Sequence, residues 1–140
     1  MKRQGDGRAS DLAIIGGKMA KPKLLVMDDE AMFGDFVESV AIELGYEVRT
    51  LSQSGEFAGA YDAFQPDTII LDMVMPGMDG TEITRWLAEQ KYAGKLIIVT
   101  GYNPQYSKIA KALGEIGGLQ SVVRIGKPVR LEELRRVLRY

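Results

Sequence analysis

Thr68-Ile69-Ile70-Leu71-Asp72-Met73-Val74-Met75-Pro76-Gly77-Met78-Asp79-Gly80 is the stretch that decides the fold of this chain. Thr68 to Leu71 reads as a short strand, apolar from Ile69 onward. It stops at a carboxylate, Asp72, and enters a loop marked by the Pro76-Gly77 pair and closed by Gly80. Open parallel sheets bind their ligands beyond the carboxyl ends of the strands, so an acidic residue at such an end is a candidate for chemistry.

The segments on either side repeat the design. Leu24-Leu25-Val26-Met27 is a second apolar run that stops at Asp28-Asp29. Phe33, Phe36, Val37, Val40, Ala41 and Leu44 then form one helical stripe, ended by Gly45. Glu47 to Leu51 reads as the second strand, and Phe57, Tyr61 and Phe64 mark a second helix that must end before Pro66. Beyond Gly80 the pattern predicts a third helix with Ile83, Trp86 and Leu87 inward, then a fourth strand over Lys95 to Val99 that ends in Thr100-Gly101. A fourth helix is expected over Gln105 to Leu113, with Gly114, Gly117 and Gly118 crowding its end. Val122 to Ile125 is the fifth strand, Gly126-Lys127-Pro128 follows, and Leu131, Leu134, Val137 and Leu138 face inward from a last helix. Five strand-helix units in alternation predict a doubly wound α/β fold. The expected sheet is five-stranded and parallel, in the order 2-1-3-4-5, inside a flavodoxin-like three-layer α/β/α sandwich.

With 140 residues and 46% hydrophobic content, the chain suffices for one core. Residues 1 to 20, rich in glycine and charge, read as a flexible leader, and residues 21 to 140 as the folded domain. The apolar run Leu12 to Ile15 is too short for a membrane span. A net charge of -1 gives no basic footprint, so nucleic-acid binding by this chain is not expected. Cysteine is absent, which suits a cytoplasmic location, and histidine is absent too. Together these absences exclude thiol catalysis and histidine-based triads or metal sites. Chemistry must rest on carboxylates, hydroxyls and the Lys and Arg side chains.

In the order 2-1-3-4-5 the switch point falls between strands one and three, which end in Asp28-Asp29 and Asp72. Thr100 and Lys127 reach the same rim from strands four and five. Converging carboxylates call for a cation, and a hard divalent ion with oxygen ligands, Mg²⁺, fits; it commonly completes its shell with phosphate oxygens. Lys127 and the Thr100 hydroxyl could then bind phosphoryl oxygens while Asp72 attacks phosphorus. Each residue also has an ordinary reading: Asp28-Asp29 as a helix cap, Thr100 as a strand-end hydroxyl, Lys127 as an exposed lysine. Asp79 is better suited to shaping the loop or capping the third helix than to binding metal.

These residues resemble the response-regulator receiver family of two-component signalling, in its single-domain chemotaxis-type form. The resemblance runs over about residues 22 to 139 and is carried by Asp28-Asp29, Asp72 with Met75-Pro76-Gly77-Met78-Asp79-Gly80, Thr100-Gly101 and Lys127-Pro128. It implies a phosphoacceptor, Asp72, charged by a histidine kinase or histidine phosphotransfer protein, with a downstream protein as the target of the switched surface. It further implies Mg²⁺ held directly by Asp29, Asp72 and the Val74 backbone carbonyl, with Asp28 acting through water, and a cis peptide before Pro128. The chain would then be a signalling domain and not an enzyme acting on a separate substrate.

Two departures stand out. The third residue before the site lysine, usually aromatic, is Arg124, and the stretch from Thr100 to Lys127 is several residues longer than usual. Val74 and Tyr102 hold the places that flank the hydrolytic water in this family and lack groups suited to activating it, so a long-lived phosphorylated state is expected. Two alternatives remain at this point. One is an Mg²⁺-dependent aspartyl phosphatase or phosphotransferase, against which stand the Asp28-Asp29-Glu30 sequence and the lack of a capping insertion. The other is a receiver-shaped interaction module that never uses phosphate. A flavin or nucleotide module has neither glycine-rich signature here.

Overall fold

The computed structural model describes residues 14–15, 18–75, 78–101 and 116–139, with residues 14, 15, 18, 19, 74, 75, 78 and 79 described by backbone alone. Five strands, β1 (Lys23–Met27), β2 (Glu47–Leu51), β3 (Thr68–Asp72), β4 (Lys95–Thr100) and β5 (Ser121–Gly126), form one parallel sheet in the order β2-β1-β3-β4-β5. This is the predicted order. The described helices are α1 (Ala31–Glu43), α2 (Phe57–Phe64), α3 (Gly80–Glu89) and α4 (Leu131–Leu138). The helix expected over Gln105 to Leu113 lies outside the described residues, as do Tyr102 and most of the leader. Within that leader, Ile14–Ile15 pairs antiparallel with Lys18–Met19.

Side-chain alternation along the central strands builds two cores, one on each face. Leu24, Val26, Ile70, Ile97 and Val99 face α1 and α4, where Val37, Val40, Ala41, Leu134 and Val137 meet them. Leu25, Met27, Ile69, Leu71, Leu96 and Ile98 face α2 and α3 and pack with Phe57, Phe64, Ile83 and Leu87. Burial of each of these side chains other than Ala41 stabilises the fold by about 1.5–3 kcal/mol. The outer strands differ because each has one neighbour: β2 and β5 are made largely of half-buried and exposed residues, with Ile125 the one buried position on β5. Trp86, read as core, sits half-buried at the rim of the second cluster, edge-on to Phe57 and Tyr61.

Local signals end the elements where the sequence predicts. After α1 the amide of Gly45 donates to the Ile42 carbonyl and that of Tyr46 to the Ala41 carbonyl, each at 3.0 Å, closing a Schellman motif. Gly45 supplies the positive φ of 94° that this motif requires. Register then sets the site. Leu71 lies between Met27 and Ile98, Asp72 opposite Val99, and Thr100 opposite Gly126, so all four strand ends reach one edge of the sheet.

Candidate functional site

Asp72 is placed by backbone bonds made by the residue that follows it. The Met73 amide donates to the Val99 carbonyl at 3.1 Å and the Gly80 amide to the Met73 carbonyl at 2.8 Å. The Thr84 hydroxyl, one turn into α3, donates to the Gly80 carbonyl at 2.9 Å. Val74–Met75 pairs antiparallel with Met78–Asp79, so the expected loop is a short hairpin that leads directly into α3. Asp79 immediately precedes that helix.

At the end of β1, Asp28 is buried and Asp29 exposed. A carboxylate oxygen from each of Asp28, Asp29 and Asp72 falls within 4.8 Å of the others. The capping reading of the acidic pair is not met, since α1 has no side-chain cap bond; Asp28 Oδ1 instead accepts the amide of Glu30, the N-cap residue itself, at 2.8 Å. The other oxygen, Asp28 Oδ2, is buried and accepts no hydrogen bond. It lies 3.2 Å from the Lys127 ammonium, an ion-pair contact without hydrogen-bond geometry. Burial raises the Asp28 carboxyl above the ordinary aspartate range, against the opposing pull of the Glu30 amide and the Lys127 charge.

Lys127 follows β5, its amide donating to the Thr100 carbonyl at 2.7 Å, and the Lys127–Pro128 peptide is cis, as the resemblance implies. The ammonium stands 3.6 Å from Asp72 Oδ2 and over the Phe33 ring at 4.9 Å from its centroid. Its shortest contact is to Glu30 Oε1, at 2.5 Å. Burial alone would lower the Lys127 pKa, but the Glu30 hydrogen bond and the charges of Asp28 and Asp72 outweigh it and hold the ammonium charged well above its ordinary range. Lys127 in turn lowers the exposed Glu30 carboxyl.

Asp28, Asp29, Asp72 and Lys127 thus come together as the sequence predicts, with half-buried Thr100 one residue beyond the strand partner of Asp72. Val74 is described by backbone alone, and Tyr102 lies outside the described residues. Arg124 is exposed on the edge strand β5, opposite Ile98. Glu30 and Phe33 were missed as parts of the site. The signal available for Glu30 was its place directly after the acidic pair.

The donor set suits a hard divalent ion. Three carboxylates, those of Asp28, Glu30 and Asp72, surround the Lys127 ammonium, Asp29 joins two of them in the acidic cluster, and the one buried side-chain oxygen without a hydrogen bond among the described residues, on Asp28, belongs to that cluster. Among the described residues no helix is long and apolar enough to cross a membrane.

Comparison with known proteins agrees with the geometry. A probable transcriptional regulator, ycf27, of Pyropia yezoensis is 32% identical over 120 residues, covering 85% of this chain and 48% of its own length. The chain spans about half or less of the length of the curated relatives it matches. Among solved structures, a response regulator receiver domain protein of Clostridium thermocellum is similar with a TM-score of 0.69 and 28% identity, covering 84% of this chain and 90% of that one. The chemotaxis protein CheY4 of Vibrio cholerae is similar with a TM-score of 0.70 and 26% identity, over 85% of this chain and 97% of that one. The sequence also matches the response regulator receiver domain over residues 24–139, from the first strand to the end of the last helix, and the chain belongs to that family.

Proposed function

We propose that this chain is a phosphorylation switch in which Asp72 accepts a phosphoryl group from a histidine kinase or histidine phosphotransfer protein. The observation that carries the reading is the setting of Asp72: buried at a strand end, 3.6 Å from Lys127 and within 4.8 Å of two further aspartates. Packing alone gives no reason to gather like charges there.

Asp29, Asp72 and the Val74 carbonyl would hold Mg²⁺, with Asp28 assisting through water. The ion would neutralise charge on the transferring phosphoryl group. The chain's own residues do the rest. An Asp72 carboxylate oxygen attacks phosphorus, the bond from phosphorus to the donor's imidazole nitrogen breaks, and that nitrogen keeps the electron pair. Lys127 stabilises the new phosphoryl oxygens as a fixed charge, and Thr100 donates a hydrogen bond to another of them. Relaxation of β4 and the following segment around the modified Asp72 would change a surface read by a downstream protein in the cytoplasm. A transcriptional role, as the relatives' names state, belongs to whole proteins of which this chain spans about half.

The test is incubation with Mg²⁺ and acetyl phosphate or phosphoramidate, followed by intact mass. One added phosphoryl group that disappears in Asp72→Asn supports the reading, and equal labelling of that variant refutes it. Phosphate release from the product, with Val74→Asn and Tyr102→Glu alongside, tests the expected long lifetime: decay as fast in the parent as in both variants would remove the shielding role of those side chains.

A further inference from the structure

Glu30 belongs to neither the metal set nor the phosphoryl set proposed above, yet it makes the shortest contact to the site lysine. Its backbone is fixed at the entry to α1: the amide donates to Asp28 Oδ1 at 2.8 Å and the carbonyl accepts from the Gly34 amide at 3.1 Å. Glu30 occupies the N-cap position, but its side chain makes no capping bond. It turns instead across the rim to Lys127, a residue 97 positions away in the chain. The Phe33 ring, also on α1, takes the same ammonium on its face. Two groups on the α1 side therefore hold the lysine, at 2.5 Å from the Glu30 oxygen, while the oxygen of Asp72 stands 3.6 Å away.

Charge-assisted hydrogen bonds need donor and acceptor within about 2.7–2.9 Å, so at 3.6 Å Lys127 makes no such bond to Asp72. A phosphoryl group on Asp72 would place its oxygens beyond that carboxylate, where they compete with Glu30 for the same ammonium. We propose that Glu30 is a positioning residue, a latch that holds Lys127 toward α1 in the unphosphorylated chain and competes for it with the arriving phosphoryl group. This rests on the reading of Asp72 as phosphoacceptor. Glu30 is largely exposed, with 63% of its side-chain surface accessible, so water screens the pair and the latch is weak. A weak latch suits this position because a small differential affinity can open it.

The experiment uses the full chain at low ionic strength and saturating Mg²⁺, with acetyl phosphate as donor and intact mass as readout. Glu30→Gln keeps the shape and removes the charge; Glu30→Asp keeps the charge and removes the reach. Both variants should be phosphorylated about two- to fivefold faster than the parent, the factor that an exposed ion pair is worth. The parent should approach their rate as salt is added. A second readout needs no phosphoryl transfer: the Lys127 ammonium resonance of the Mg²⁺-free chain should move in both variants. A rate and a resonance unchanged in Glu30→Gln, with Asp72 labelled normally, would overturn the latch alone. Acceleration in Glu30→Gln with parent-like behaviour in Glu30→Asp would assign the effect to charge acting through space on the anionic donor, and would also overturn it. A parent that takes up no phosphoryl group would remove the phosphoacceptor reading and the latch with it.

Discussion

Gly80 is where a single methyl group should disturb both stability and chemistry. A Cβ built there would lie 2.8 Å from Met73 Cα, 2.9 Å from Met73 Sδ and 3.0 Å from the Asp72 carbonyl oxygen. The sulfur could swing aside, but the other two atoms are backbone, and ordinary carbon contacts lie at about 3.5–4.0 Å. Relief in Gly80→Ala therefore requires α3 and the Asp72-Met73 backbone to separate by several tenths of an ångström. That movement stretches the 2.8 Å bond from the Gly80 amide to the Met73 carbonyl. Gly80 is the first residue of α3, where alanine would otherwise gain about 0.5–1 kcal/mol in helix propensity. Overpacking costs about 1–3 kcal/mol, so the balance is a net loss of up to about 2.5 kcal/mol. For a domain of this size that loss corresponds to a fall in Tm of up to about 10 °C. Because the displaced backbone carries Asp72, the rate of phosphorylation should fall as well, by up to about 100-fold if the carboxylate moves by an ångström. Thermal unfolding and intact-mass labelling of the purified variant measure the two effects separately. A Tm within a degree of the parent together with unchanged labelling would show that the Asp72 loop yields freely, and that Gly80 is not required by the site.

Three further outcomes follow from other parts of the fold. Leu87→Ala, at a fully buried position between α3 and the sheet, should lose about 2–5 kcal/mol in denaturant unfolding while Asp72 still labels below the transition. The Lys95 ammonium donates to the carbonyls of Val137 at 2.7 Å and Arg139 at 3.1 Å, closing the end of α4, so Lys95→Met should cost about 1–2 kcal/mol and increase hydrogen exchange in that helix. Asp28 has a folded-state pKa raised by burial, so its contribution to stability is full at low pH and is lost as pH rises through that raised value. Asp28→Asn should therefore flatten this part of the pH profile of the Mg²⁺-free chain and leave it no less stable at neutral pH. The same variant should lose much of the stabilisation by Mg²⁺, which for the parent is about 2.7 kcal/mol at 100 times Kd. A variant as responsive to Mg²⁺ as the parent would take Asp28 out of the metal site.

Local pattern was enough for the strands and their order. The apolar run at Leu24 to Met27 can be satisfied only by burial on both faces, Thr68 to Leu71 reads as another strand, and the helical stripe between them supplies the crossover, so the parallel sheet is implied before any packing is known. Asp28, Asp29, Asp72 and Lys127 were legible for the same reason, since strand ends in such a sheet share one edge. The predicted order already put β2 and β5 at the edges, but not which of their residues would be covered, because an isolated five- or six-residue run does not report how far the helices extend over it. Trp86 faces inward as its spacing predicts but is only half-buried, because helical spacing gives a face and not how far the facing layer extends over it. What only the tertiary structure decided is which carboxylate holds Lys127. Sheet register and the entry angle of α1 bring Asp28, Glu30 and Asp72 within 3.6 Å of one ammonium, and the outcome depends on differences of about an ångström between groups up to 97 residues apart. Residue type and spacing set the charges that compete, whereas distances on that scale arise from the packing of the whole domain.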